Sequence, residues 1–192
     1  MIRGIIFSAP MVQALLRNEK FQTRRLADSP LAKVEPGDKL YVRETARATN
    51  DCEGFDCIQF AAGGAYHQNT REFRDNWTRM HHYADRRAAW VPSIHMPRWA
   101  SRLTLDVYDK RFQRLQDITD ADAILEGVTY ASGSYGIATE VVGKLECLAS
   151  NPRDSFHLLW DSLHDKEGER WDDNPEIVAL TFDPLQKNVD RD

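Results

Sequence analysis

Lys20-Phe21-Gln22-Thr23-Arg24-Arg25 gathers an ammonium, a carboxamide, a hydroxyl and two guanidiniums into six residues just after an apolar run. A short basic run is usually a solvated face, so its meaning depends on what flanks it. Upstream, Ile2, Ile5, Ile6 and Phe7 read as a first strand. Ser8 is placed to cap a helix, and Pro10 falls in a first turn where amides lack partners anyway. Met11, Ala14 and Leu15 then recur at helical spacing, and Asn18 serves as a left-handed stop. Lys20 therefore falls in a turn, and Gln22 to Leu26 enter a strand. Alternation puts Thr23 and Arg25 on one face and Gln22 and Arg24 on the other. A pairing of Lys20 with Thr23 then requires the lysine to curl back.

Working outward, Pro36-Gly37-Asp38 is a turn by its chemistry. Leu40 to Glu44 alternates as a half-buried strand, with Leu40 and Val42 inward and Tyr41 and Arg43 outward. From Arg47 to Arg87 the pattern dissolves into Asn, Asp, Gly, His and Arg, relieved by Ile58-Gln59-Phe60 and a short strand near Tyr83. This predicts a long, partly mobile insertion over about residues 47–88. Trp90 to Trp99 cannot be regular helix throughout, because Pro92 and Pro97 push their preceding residues toward extended geometry. Its two tryptophans suit either a wall for a planar ligand or a clamp over one end of the core. Arg102 to Asp106 alternates clearly, with Leu103, Leu105 and Val107 on the core face.

Thr119 caps a short helix with Asp122 three residues on, and Gly127 ends it. Glu126 then lies in the last turn, where the macrodipole disfavours an anion by roughly a few tenths of a kcal/mol. A carboxylate set against its local preference is a modest functional hint, weighed against the plainer reading of a surface glutamate. Tyr130 to Thr139, with Gly133 and Gly136, reads as a flexible loop or hairpin tip over about 130–140 before a strand at Val141 to Leu148. Asn151-Pro152 opens a helix with Phe156, Leu159, Trp160 and Leu163 on its core face. Trp160 and His157 read as packing and solvated face. Ile177 to Phe182 closes as a strand, and the tail after Pro184 is expected to fray. About six strands with two or three helices, in no β-α-β alternation, predict an α+β fold. It is a small mixed β-barrel with the helices packed at its ends, formed as a single domain over residues 1–192.

Composition narrows the function. A net charge of −5 over 192 residues argues against coating duplex nucleic acid, while leaving room for a local cationic pocket. No apolar run reaches the roughly 18 residues of a membrane span, so no membrane partner or anchor is expected. Cys52, Cys57 and Cys147 are an odd count without a disulfide framework, which fits a reducing, cytoplasmic setting. Cys52 and Cys57 with His67, His81 and His82 match no usual zinc spacing. There is no P-loop, dinucleotide fingerprint or Gly-x-Ser-x-Gly elbow. Neither metal nor cofactor is expected.

Several of these segments resemble a known family, the ASCH domains of the PUA-like superfamily. The likeness rests on Lys20-x-x-Thr23-x-Arg25 after a short helix, Pro36-Gly37-Asp38-x-Leu40-x-Val42, and Asp117-Ile118-Thr119 through Glu126-Gly127-Val128. Ser8 to Val12, Gln22 to Arg25, Val42-Arg43-Glu44, Pro92 to Arg102 and Leu159 to Ser162 are similar to a phage and prophage branch. The chain departs from the pattern at Asn18, where a glycine often stands, at Phe21, where a small polar residue is common, and in its long insertions.

The resemblance implies a PUA-like barrel with a cleft near the first helix, and a role in RNA or modified-nucleoside chemistry. Some small members are amidohydrolases that remove the acetyl group of N4-acetylcytidine with a lysine, a threonine and a glutamate, which correspond to Lys20, Thr23 and Glu126. On this reading Thr23 is the nucleophile, Lys20 its base, and Glu126 the group that protonates the leaving amine or orients the lysine. Gln22, Arg24, Arg25 and Arg43 line the site, the arginines lowering the lysine's proton affinity. His95 and Trp99 border the base, and Arg98 and Arg102 hold phosphate if the substrate is RNA. The expected partner is a modified nucleoside or single-stranded RNA. Two other readings stay open: an RNA-binding or RNA-cleaving module without acyl chemistry, and a phage accessory protein that binds a host protein or a nucleotide signal.

Overall fold

The computed structural model describes residues 1–68, 70–131, 133–138 and 145–190. Among them lie eleven strands and four α-helices. The main sheet contains β1 (Ile2–Ile6), β2 (Gln22–Leu26), β3 (Lys39–Arg43), β7 (Thr104–Arg114) and β11 (Glu176–Leu185) in the order β1-β3-β7-β11-β2. β1 and β3 run parallel, and the other pairings are antiparallel.

The mixed α+β class is as expected, but the six-stranded barrel is not: among the described residues three separate sheets carry eleven strands, and no strand pairing closes the main sheet. Its two edges nevertheless face each other. The Arg25 guanidinium on β2 donates to the Ile6 carbonyl on β1 at 3.2 Å, so a side chain rather than a hydrogen-bond ladder joins them.

The elements that position the site form as their sequence dictates. Helix α1 (Ala9–Leu16) starts at Ser8 with Pro10 in its first turn, although the Ser8 side chain makes no capping bond. It stops where Asn18 takes φ 55°. Leu40, Leu103 and Leu105 are fully buried, and Val42 and Val107 nearly so, in a main core beside Val12, Leu15 and residues 177–180. Helix α3 (Asp120–Leu125) carries the predicted reciprocal cap between Thr119 and Asp122. Helix α4 (Pro152–Leu163) opens with Asn151 accepting from the Asp154 amide at 2.8 Å.

Gly4 on β1 lies against β3 so closely that an added Cβ would sit 2.8 Å from Arg43 Cδ and 2.9 Å from the Tyr41 ring. Gly4→Ala should therefore push the ends of the Tyr41 and Arg43 side chains aside, at a cost of no more than about 1 kcal/mol because both are flexible and half-buried. Chemical denaturation measures this, and a larger loss would contradict it.

Residues 47–88 are not an irregular excursion. β4 (Ala46–Asn50), β5 (Asp56–Phe60) and β6 (Ala65–His67) make an antiparallel sheet covered by helix α2 (Arg71–His81). Ala46, Ala48, Ile58, Phe60, Phe73, Met80, Val91, Met96 and Ala100 form a second core there. Thr70 caps α2 by accepting from the Phe73 amide, and Phe73, Trp77 and Met80 recur at i, i+4 and i+7. That spacing is in the sequence, hidden by charged residues between its members. Around Tyr83 the chain makes a short 3-10 turn rather than a strand.

Of the two readings of the 130–140 stretch the structure has the hairpin, β8 (Val128–Ala131) with β9 (Ser134–Ala138), turning at Gly133 with φ 86°. Residues 132 and 139–140 of that loop, and 141–144 of the strand expected at 141–148, lie outside the described residues. β10 (Leu145–Ala149) pairs with β9. The tail after Pro184 does not fray at once. Asn188 is 5% exposed, and its carboxamide donates to the carbonyls of Arg98, Trp99 and Ser101. No helix among the described residues is long and apolar enough to cross a membrane.

Candidate functional site

The turn after α1 delivers Lys20 against the end of α3. The Phe21 amide donates to the Leu125 carbonyl at 2.8 Å, which ties the two segments. Gly127, at φ 101°, then turns the chain away, and a Cβ added there would lie in ordinary contact with Lys20 Cβ at 3.6 Å. The strain of a side chain there would come from its left-handed backbone. Lys20 Nζ consequently donates both to the Glu126 carbonyl and to Glu126 Oε2, each at 2.7 Å. Glu126 is the residue that caps the C-terminal end of α3. Its carboxylate meets a second cation there, since Arg24 donates to Oε1 at 3.0 Å. Lys20 is 1% exposed, Arg24 2% and Glu126 3%.

The faces set by strand alternation are realised as bonds. Arg24 donates to Gln22 Oε1 at 2.6 Å, and Arg25 donates to Thr23 Oγ1 at 2.8 Å. Gln22 also donates to Thr181 on β11 at 3.1 Å. Thr23 does not pair with Lys20. Extension along β2 aims its hydroxyl at Arg25, and the lysine, curling off the preceding turn, goes to Glu126.

Asp122 extends the network: its Oδ2 lies 3.4 Å from Arg24, and its Oδ1 accepts from Arg111 at 3.0 Å. Burial raises the Asp122 pKa, but the bond from Arg111, the charge of Arg24 and the bonds from Thr119 outweigh it and leave the carboxyl more acidic than usual. For Lys20 burial is the dominant influence and lowers the pKa below the ordinary lysine value. The Glu126 carboxylate works against this, and the Arg25 and Arg24 charges add to it.

The sign of the pH dependence follows. Between the lowered folded-state value and the ordinary lysine value, unfolding takes up a proton, so stability rises with pH across that window. Below the window the full cost of burying the ammonium is present. Lys20→Met should flatten this alkaline slope of unfolding free energy, and an unchanged slope would contradict the assignment.

These groups form the floor of a cavity of about 300 Å³ that Lys20, Thr23, Arg24, Arg25 and Glu126 line together. Ile6, Phe7, Ser8 and Met11 make one wall, and Phe156, Leu159, Trp160, Leu163 and His164 make the other. Ser8 and Ile6 on one side and Leu163 on the other are exposed, so they form its rim. The Lys20 ammonium and the Arg25 guanidinium sit 5.5 and 5.4 Å from the Phe7 ring centre. The Arg24 Nε–H is buried with no hydrogen-bond partner.

The other candidates lie elsewhere. Arg43 donates to the Ile94 carbonyl. Arg98 pairs with Asp190. Arg102 grips both oxygens of Glu44 at 2.8 and 2.9 Å and stacks 4.0 Å from the Phe60 ring centre. His95 is exposed and tilted over Tyr83. Trp99 packs edge-on against Phe73 in the second core. The Trp90–Trp99 stretch is thus a clamp on that core and not a wall of this cavity.

The sequence did not signal the α4 wall. Trp160 is buried as expected, yet it also faces the cavity, and the His164 ring stacks on it at 3.9 Å with its Nδ1 3.0 Å from the Trp160 carbonyl. The i, i+4 spacing of Trp160 and His164 was the available sign. Among the described residues no cluster of three or more His, Cys, Asp or Glu could hold a metal ion. No protein-family model, curated protein or solved structure matches the chain.

Proposed function

We propose that the chain is an ASCH-type member of the PUA-like superfamily that hydrolyses the amide of an acylated nucleoside such as N4-acetylcytidine. One observation carries this reading: Lys20 and Glu126, 106 residues apart and almost wholly buried, meet at 2.7 Å on the floor of a cavity that Thr23 also lines. Burying a lysine and a glutamate costs stability that an apolar pair would not cost, and perturbed ionisable groups in a cleft mark functional sites. A cavity of about 300 Å³ falls at the lower end of ligand pockets, roughly 300–1,000 Å³, and its apolar walls suit a base. The incompletely joined five-stranded sheet is compatible with a PUA-like barrel.

In this mechanism Thr23 Oγ1 attacks the acyl carbon and passes its proton to neutral Lys20, a form favoured by the lowered pKa. The attack requires the lysine to swing from Glu126 towards Thr23. Arg25 already donates to Oγ1 and stabilises negative charge developing there. The unpartnered Arg24 Nε–H is the donor for the oxyanion. Collapse breaks the C–N bond, the amine leaves with the proton returned through Lys20, and water then releases the acyl group from Thr23. Glu126 holds the lysine between the two transfers.

Acetate release from N4-acetylcytidine by wild type, Lys20→Ala and Thr23→Ala tests the scheme. Each substitution should cost about 10²–10⁴-fold in kcat/KM. Full activity in Thr23→Ala would remove the nucleophile assignment, and no turnover by wild type would remove the hydrolase. Binding of RNA without chemistry is less favoured, because two of the arginines it needs, Arg43 and Arg102, are engaged with protein acceptors.

A further inference from the structure

A groove of about 570 Å³ adjoins the cavity and shares Ile6 and Arg25 with it. It runs along the seam where the unpaired edges of β1 and β2 face each other, so Arg25 is the bridge over the seam as well as part of the cavity floor. Arg3, Arg25 and Arg98 line the groove, and no carboxylate does. In a chain of net charge −5, three guanidiniums around one hollow are a local reversal. Among the described residues, no carboxylate lies at ion-pair distance from Arg3 or Arg25, and Arg98 has only exposed Asp190. Two further donors are unspent: the Nε–H of Arg98 and the hydroxyl of Ser29, both buried at the atom and without hydrogen-bond partners. Tyr41, held against Gly4, supplies a phenol on the same wall.

We propose that this groove is a phosphate subsite and that the substrate is a nucleotide, with the acylated base in the cavity and the phosphate among Arg3, Arg98 and Arg25. The assignment of the acylated base rests on the hydrolase reading above. Guanidiniums match phosphate oxygens with paired, charge-assisted hydrogen bonds, and the free edge of a sheet adds amide donors of the same sign. The ribose spans Ile6 and Arg25, the two residues the hollows share. Phosphate displaces Asp190 from Arg98, an exchange of one anion for another at an exposed pair.

The test compares kcat/KM for N4-acetylcytidine and for its 5′-monophosphate in wild type and in the Arg3→Gln/Arg98→Gln double variant. Wild type should prefer the monophosphate by about tenfold or more, the worth of one charge-assisted hydrogen bond. The double variant should bring the ratio of the two values close to one. A wild-type ratio of one, or a preference that survives both substitutions, overturns the subsite and leaves the hydrolase standing. If wild type cleaves neither compound, the hydrolase reading fails and calorimetry with cytidine 5′-monophosphate decides the subsite. A Kd weakened about tenfold in the double variant then supports it, and no binding to wild type, or equal Kd values, overturns it.

Discussion

Glu126→Gln should lower the unfolding free energy by about 3–5 kcal/mol, because it leaves Lys20 buried without its anion while keeping the side chain's shape. For a domain of this size that corresponds to a fall in melting temperature of roughly 6–20 °C. The same substitution should abolish acyl hydrolysis measured well below the new transition, since the lysine loses the group that holds it between its two proton transfers. Fold and chemistry separate in a second variant. Adding Lys20→Met to Glu126→Gln removes the stranded ammonium, so the pair of substitutions should be more stable than Glu126→Gln alone, though still inactive. The two residues share direct bonds at 2.7 Å, so their effects cannot be independent. Additive losses in thermal denaturation would mean that the contact carries little energy.

Arg102→Leu should cost about 3–5 kcal/mol by the same logic at the other buried pair. Glu44 is 2% exposed and holds Arg102 through both oxygens. Burial raises the Glu44 pKa, and the bonds and charge of Arg102 oppose that rise. Without the arginine the carboxylate must stay buried and unpaired or take up a proton. The variant should therefore recover part of its lost stability in mildly acidic buffer, where protonation removes the charge. Arg102 also donates to the Gly63 carbonyl at 2.8 Å, so it clips the β5–β6 turn to the end of β3. Urea midpoints at two pH values measure both effects, and a loss that does not shrink on acidification would contradict the account.

Those two ion pairs mark the boundary of what the sequence discloses. Local grammar was legible: the Asn18 stop, the Thr119–Asp122 cap, the inward Leu40 and Val42, and the alternation that sets Gln22 with Arg24 and Thr23 with Arg25. Which strand meets which was not, because β2 pairs with β11 about 150 residues later and nothing in either segment specifies the other. The meeting of Lys20 with Glu126 was reached through family resemblance and not through spacing. The second core escaped because small Ala46 and Ala48 give little hydrophobic signal in a strand, and charged neighbours dilute the Phe73–Trp77–Met80 stripe. Arg43, Arg98 and Arg102 look like free cations in a sequence. Folding gives each an acceptor that no local window contains.

The described residues form two apolar interiors, one under the five-stranded sheet and one under β4, β5 and α2. Small interiors open more cheaply than large ones. Amide protons of β4, β5 and α2 should therefore exchange with solvent deuterium through a partial opening, while those of β7 and β11 wait for global unfolding. Between the two rates lies a half-open species with the Phe73, Trp77 and Met80 face bare. Proteases and chaperones would meet that form long before the sheet carrying Lys20 gives way.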